Sequence, residues 1–450
     1  MRMNCTSTQV YIGMLGGGTV GGGVYQALCQ NGKLIASRTG IELIIKKIAV
    51  KEYDEPRAVD IPHSLMTLDW RDVVNDPQIQ LVVELVGGTG VAKEMILAAL
   101  HLGKPVITAN KALLAQCGEE LFTVAKQHNT SIYFEASVAG GIPILRSIKE
   151  GFVCNKFSSI SGIVNGTCNY ILTEMEVQGR GFEEILHDAQ KKGYAEANPS
   201  LDVDGHDSHH KITILASLAH NTWIHSDLVY RYGISTVTNQ DIEICSQLGY
   251  RIKLLGTVKT VLKNQLSASE DSTTYIQAGV APTLIPHDHI LAGVNDVFNA
   301  LAVTGDVVGE TFFYGKGAGQ DATASAVVGD IVDAALNTVN NTPRRLPPMW
   351  LGNNIKIVAP DDVQGSFYIR VELKNSKDKK AEIDQEVIDA IKEENIQVIK
   401  TANSISTSKN SRYFVVLVSH TSFRIIHIIL KKLRKRDDCM SAPVAFMILD

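Results

Sequence analysis

The chain has 450 residues, 45% of them hydrophobic and 20% charged, ordinary values for a globular protein of two or three domains. A net charge of −5 gives no basis for nucleic-acid binding, and no apolar run is long enough to span a bilayer. The seven cysteines are scattered without a CxxC pair, which fits a reducing cytoplasm and argues against a disulfide framework or a structural zinc site. Only a few polar residues precede the first core-like run, so no signal peptide is expected.

QVYIGML reads as a buried strand, and GGGTVGGG follows it directly. Gly16, Gly18 and Gly21 satisfy G-x-G-x-x-G, with Thr19 and Val20 between them and a helix-like run behind. Between a strand and a helix this pattern marks dinucleotide binding. The glycines let the backbone approach a pyrophosphate, and the helix start offers free N–H groups to the anion. IELIIKKIAV is the next strand, and Lys51 stands at its tip, where NAD-specific proteins usually place an acid. A base there suits the 2′-phosphate of NADP.

IQLVVELVGG, KPVITAN and TSIYFEASV read as further strands, separated by helices through VAKEMILAALHLG and LFTVAKQHN. This alternation implies a doubly wound parallel sheet of the Rossmann type over residues 1–138. Ligands in such sheets lie beyond the carboxyl ends of the strands. Gly87, Gly88, Thr108, Asn110 and Lys111 are therefore expected on the ligand side.

From about Ala139 the texture changes to α+β, expected for a substrate domain over 139–340, which the resemblance named below implies is also the dimerisation domain. KFSSISGIV and the segments after Ser267 read as strands, with a helix expected around Asp241–Leu255. GKGAGQDATASAVVGDIVDAALNTV reads as a glycine loop, containing Gly317, followed by a long helix.

Within this region AQKKGYAEANPSLDVDGHDSHHK gathers acids and one lysine around two glycines and a proline, just before an apolar-periodic helix. Asp207 and Lys211 lie four residues apart and share a helix face. Glu196 sits upstream in a turn-rich loop that can fold back over the helix start. Carboxylates beside a lysine at a loop–helix junction suit binding a small amino acid and moving a proton. His206, His209 and His210 cluster in the same segment. They leave open a metal-dependent hydrolase, although no His-Glu-x-x-His or comparable pattern accompanies them.

NNTPRRLPPMW opens a linker placed at 341–364. Beyond it, FYIRVEL, IQVIKTANSI, YFVVLVS and APVAFMIL read as strands, with helices through AEIDQEVIDAIKEENI and FRIIHIILKKLRKR. The order βαββαβ predicts a small ferredoxin-like unit over 365–450.

The Asn-Pro, Leu-Asp-Val-Asp-Gly, Asp and Lys spacing closely resembles the homoserine dehydrogenase signature. VVELVGG, KPVITANKALLA, FEASVAGGIPI, IVNGTCNYIL and YGKGAG also look like segments of that family. The resemblance implies a cytoplasmic enzyme of threonine, methionine and isoleucine biosynthesis. It would interconvert L-homoserine and L-aspartate 4-semialdehyde with NAD or NADP, as a homodimer or homotetramer without nucleic-acid or membrane partners.

The resemblance implies Lys211 as the proton donor, Lys111 as a second active-site lysine, and Glu196 and Asp207 as the clamp on the substrate amino group. Thr167 would lie near the substrate carboxylate and nicotinamide, with Asp202 and Tyr194 also on the substrate and Gly166 and Gly317 on the cofactor. Residues 316–340 would return to the nucleotide domain. FEASVAGGIP is similar to the family's monovalent-cation loop, with oxygens from Glu135, Val138, Gly140 and Ile142 for Na+ or K+.

The tail resembles an ACT domain, a module that often binds amino acids at paired interfaces. KNSKDKKAE lacks the proline and glycine that such a domain carries at its effector turn, so the tail is expected chiefly to support assembly. A non-catalytic amino-acid sensor on a dehydrogenase-like body is the other reading. The presence of Lys111, Glu196, Asp207 and Lys211 together argues against it.

Overall fold

The computed structural model describes residues 8–261, 273–343, 345, 355–375, 379–405 and 410–449. Of the expected linker, residues 344 and 346–354 lie outside the described residues. So do Ser267 and Ser376, Lys377 and Asp378 of the tail's first turn.

Six strands form the first sheet: β1 (Thr8–Leu15), β2 (Ile41–Ala49), β3 (Met66–Thr67), β4 (Leu81–Glu84), β5 (Val106–Thr108) and β6 (Ile132–Tyr133). All pairings are parallel, in the order β3-β2-β1-β4-β5-β6. The expected doubly wound sheet is thus present, and its strand order reverses beside β1, where a ligand crevice opens. Val10, Ile12, Met14 and Leu15 of β1 are fully buried because helices cover both faces.

The helix Thr19–Thr39 follows β1 and ends on Gly40, whose φ of 73° lets its N–H reach back to the Ala36 carbonyl at 2.8 Å. The helix Gln320–Val339 returns to pack on it, and Val327, Ile331 and Ala334 share a core with Val10, Ile12 and Val24. Gly23 makes this approach possible: a Cβ there would stand 2.8 Å from Cγ of Gln320.

The remaining strands form one sheet: β7 (Phe157–Ile163), β8 (Tyr230–Arg231), β9 (Tyr250–Val261), β10 (Thr274–Pro286), β11 (Phe298–Gly305), β12 (Gly309–Lys316), β13 (Ile355–Ile357), β14 (Gln364–Lys374), β15 (Val398–Ile405), β16 (Ser411–Ser422) and β17 (Val444–Ile448). The main path is β12-β11-β7-β9-β10-β17-β14-β16-β15, with β8 and β13 also paired to β10. Two expectations need correction. The helix placed around Asp241–Leu255 spans only Asn239–Gln247; Gly249, at φ 91°, ends the turn, and the chain continues as β9. Residues 355–357, placed in the linker, form a strand parallel to β10.

The tail strands run β17-β14-β16-β15, all antiparallel, with two helices, Lys380–Lys392 and Phe423–Arg434, in the βαββαβ order. Phe367, Ile369 and Val371 face those helices, while Tyr368 joins the core of the body. β17 also pairs with β10 through Thr283–Met447 and Leu284–Ile448, so tail and body share one sheet.

Candidate active site

The glycine loop after β1 has the shape its sequence implies. Gly16 takes φ 107°, and a Cβ there would lie 2.8 Å from the Leu85 carbonyl oxygen. A Cβ on Gly21 would meet the Gly16 oxygen at 2.2 Å, so helix and loop touch backbone to backbone. Gly18 faces open space, and no side chain caps the helix that starts at Thr19 and runs on through Val20 and Gly21. An uncapped helix start beside an open glycine fits a pyrophosphate. Lys51 is exposed just past the end of β2.

At the other side of the sheet reversal, the buried carboxylate of Glu84 accepts hydrogen bonds from the amides of Val86 (2.8 Å) and Gly87 (3.0 Å) and from the Thr108 hydroxyl (2.7 Å). Gly87 and Gly88 both take left-handed φ values in the turn this creates. The Asn110 amide nitrogen holds the Gly88 carbonyl at 2.7 Å, while its oxygen caps the helix Lys111–Gln127 by accepting from the Leu113 amide. Lys111 is therefore the first residue of a helix whose start is fixed to the glycine turn.

A cavity of about 360 Å³ opens beside these residues, lined on the opposite wall by Glu196, Asn198, Leu201, Asp202, Asp207 and His210. Lys211 and Asp207 share one face of the helix His206–Ala219, with Lys211 Nζ 2.6 Å from Asp207 Oδ2. Lys211 Nζ also donates to the Val164 carbonyl at 2.6 Å. Lys111 Nζ reaches Asp207 Oδ1 at 3.1 Å, so two lysines converge on one carboxylate.

Burial pulls the Lys211 ammonium below its usual value, with Lys111 acting in the same direction and Asp207 opposing. Burial also opposes the charge on Asp207, but Lys211 and Lys111 outweigh it and hold the carboxyl well below the usual range. Burial raises the Asp202 carboxyl despite a hydrogen bond from Asn165. His210 is lowered to about 4 by burial and by His209 beside it, so it is neutral at physiological pH.

Other expected site residues lie around rather than on this wall. The Thr167 hydroxyl donates to the Tyr194 carbonyl at 2.7 Å, tying the helix Gly166–Gln178 to the signature loop. The Tyr194 ring packs edge-on against Tyr170, with centroids 4.9 Å apart. Gly166 packs closely on the Val297 carbonyl, and Gly317 fills the space between Gly140 and Asn299. His209 Nε2 lies 3.0 Å from the carbonyls of both Ser226 and Val229. Among the described residues no group of three or more His, Cys, Asp or Glu is placed to hold a metal ion.

In the FEASVAGGIP loop, the Glu135 carboxylate accepts from the amides of Leu145 (2.9 Å) and Arg146 (2.7 Å). Its side chain thereby fastens the loop to the next helix. Ala139 and Gly140 both take positive φ, which turns the backbone sharply between Val138 and Ile142.

Asn165 is the main residue that the sequence analysis passed over. Its amide nitrogen donates to Asp202 Oδ1 at 2.7 Å and to Asp207 Oδ2 at 2.9 Å, and its oxygen caps the helix Gly166–Gln178. An asparagine directly before a helix start, in IVNGTCNY, was the available signal. Asn299 was missed too: it is 1% exposed, it packs on Gly317, and neither its amide nitrogen nor its oxygen has a partner among the described residues.

Comparison with known proteins agrees with this geometry. A family model described as homoserine dehydrogenase matches residues 143–332, and one described as homoserine dehydrogenase, NAD binding domain, matches 16–135. A homoserine dehydrogenase of Neisseria gonorrhoeae is 38% identical over 446 residues, covering 98% of both chains. One from Pseudomonas aeruginosa is 41% identical over 371 residues, 81% of this chain and 82% of that relative. The crystal structure of a homoserine dehydrogenase from Thiobacillus denitrificans superposes with a TM-score of 0.89 at 33% identity, covering 98% of this chain and 99% of the other. A nucleotide-binding loop, a lysine–carboxylate cleft and full-length relatives thus lead to one conclusion: the chain belongs to the homoserine dehydrogenase family, the NAD(P)-dependent oxidoreductases that act on homoserine.

Proposed function

We propose that the cleft around Asp207 and Lys211 interconverts L-homoserine and L-aspartate 4-semialdehyde, with Lys211 as the group that moves the hydroxyl proton. The observation carrying this is the convergence of Lys211 and Lys111 on Asp207 beside an open cavity. A nicotinamide bound beside this cleft would take or give the hydride. In oxidation, Lys211 in its neutral form takes the hydroxyl proton as the carbinol carbon loses hydride; in reduction, the ammonium returns it. Asp207 orients Lys211, and Asn165 fixes Asp207 and Asp202 together. Glu196 and Asp207 hold the substrate ammonium, because a charge taken out of water must be paired. Asp202, Thr167 and Tyr194 shape the substrate end. Gly16, Gly18, Thr19, Val20 and Gly21 cradle the pyrophosphate, and Gly87, Gly88, Asn110, Gly166 and Gly317 line the nicotinamide end.

The test is formation of reduced nicotinamide from L-homoserine, run with each cofactor and with or without K+ or Na+. Absence of turnover with both cofactors would remove this reading. A cation response would support a site built from oxygens of Glu135, Val138, Gly140 and Ile142.

Two substitutions probe binding. Glu196→Gln should raise the KM for homoserine several-fold and leave cofactor KM unchanged, since it removes charge while keeping shape. A shift confined to cofactor KM would misplace the clamp. Lys51→Ala should raise the KM for NADP far more than that for NAD, and equal effects on both would mean that Lys51 does not read the 2′-phosphate.

For the whole chain we assign residues 1–138 to nucleotide binding and 139–340 to catalysis and dimerisation. Residues 341–364, which include the strand β13, connect these to an ACT-like unit at 365–450 that supports a cytoplasmic homo-oligomer. No helix among the described residues is long and apolar enough to cross a membrane.

A further inference from the structure

The signature turn is backed by a short segment, Tyr230–Ile234, that touches the tail on its other side. Ile234 N–H donates to the Val203 carbonyl at 2.8 Å, and Arg231 Nη1 donates to the Asp204 carbonyl at 2.6 Å. Gly233 lies so close to this turn that a Cβ would stand 2.3 Å from the Val203 oxygen. Gly205, which begins the helix of Asp207 and Lys211, takes φ 79° with its Cβ position 3.3 Å from the Tyr232 oxygen. The segment itself is pinned to β10 by the Tyr232 amide, 2.8 Å from the Val280 carbonyl.

The opposite side of the segment is aromatic and belongs to the tail. The Phe423 ring lies 5.2 Å from that of Tyr230 and 5.1 Å from that of Tyr232. Phe423 is 5% exposed and opens the helix Phe423–Arg434. One turn further, His427 Nε2 is 3.1 Å from the Tyr232 hydroxyl.

We infer that Tyr232 is a positioning residue for the catalytic turn, held in place by Phe423 and His427 of the tail. This rests on the proposed roles of Asp202, Asp207 and Lys211. The tail helix fixes the Tyr232 ring, the ring fixes the 230–234 backbone, and that backbone sets Val203–Gly205, one residue from Asp202 and two from Asp207. A displacement of catalytic groups by about 1 Å can cost roughly 10²-fold in rate. The nucleotide sheet receives no support from this segment in the contacts just described, so cofactor affinity is the internal control.

The experiment uses the full chain. Tyr232→Ala and Phe423→Ala should each lower kcat/KM for homoserine by roughly 10–100-fold. Cofactor dissociation constants, read by direct binding, should stay within about twofold. Tyr232→Phe keeps the ring contact with Phe423 and should recover most of the activity. Unchanged kcat/KM in both alanine variants overturns the inference. A parallel loss of turnover, cofactor binding and melting temperature in both overturns it as well, because that pattern marks general destabilisation. Lys211→Ala is measured alongside: if that variant stays active, the active-site reading has failed rather than the role of Tyr232.

Discussion

Lys211→Ala should lower kcat for homoserine oxidation by about 10²–10⁴-fold, the usual worth of a positioned acid or base. The lysine is 7% exposed, and its ammonium is bonded to Asp207 and to the Val164 carbonyl. Burial favours the neutral form, which is the form that accepts a proton. The sign of the pH dependence follows. Oxidation should rise with pH through the titration of Lys211, at a value below that of an ordinary lysine, and this limb should vanish in the variant. The substitution also removes one of the two charges that keep Asp207 ionised, but Lys111 remains at 3.1 Å, so the helix start should hold. Direct binding should find cofactor affinity nearly unchanged. Near-normal turnover in a folded variant would remove Lys211 from the mechanism and leave Lys111 as the remaining basic group at Asp207.

The Asp207–Lys211 pair was legible because helix geometry alone brings residues four apart together. The glycine loop was legible because each glycine answers a local steric demand. Asn165 was not: its two acceptors lie 37 and 42 residues ahead, and only the packing of two helices unites them. The first part of β9, residues 250–255, was read as helix because its apolar residues follow a true helix without a proline break. The alternation of FYIRVEL was legible, but not what covers its second face. Arg370, on the face away from the tail's own helices, is buried there against the body.

That burial leads to the largest expected effect on stability. Arg370→Leu should destabilise the protein by about 3–5 kcal/mol, the cost of leaving a buried carboxylate without its partner. Asp241 is fully buried at the start of the helix Asn239–Gln247 and is ion-paired with Arg370. It also accepts from the Tyr368 hydroxyl at 2.6 Å and from the Thr238 amide at 2.8 Å. Burial already raises the Asp241 carboxyl, with Arg370 as the main opposing influence. Without the guanidinium it should rise further, and the folded state should then bind a proton more tightly than the unfolded chain. A raised acid loses stability as pH climbs from its unfolded value to its folded one, so the deficit should be greatest near neutrality and shrink toward pH 4. Asp241→Asn in the Arg370→Leu background should recover much of the loss by removing the stranded charge. Urea midpoints of the unaltered chain and the two variants across pH measure this directly. A loss below about 1 kcal/mol, independent of pH, would class the pair with exposed salt bridges and refute its part in joining tail to body.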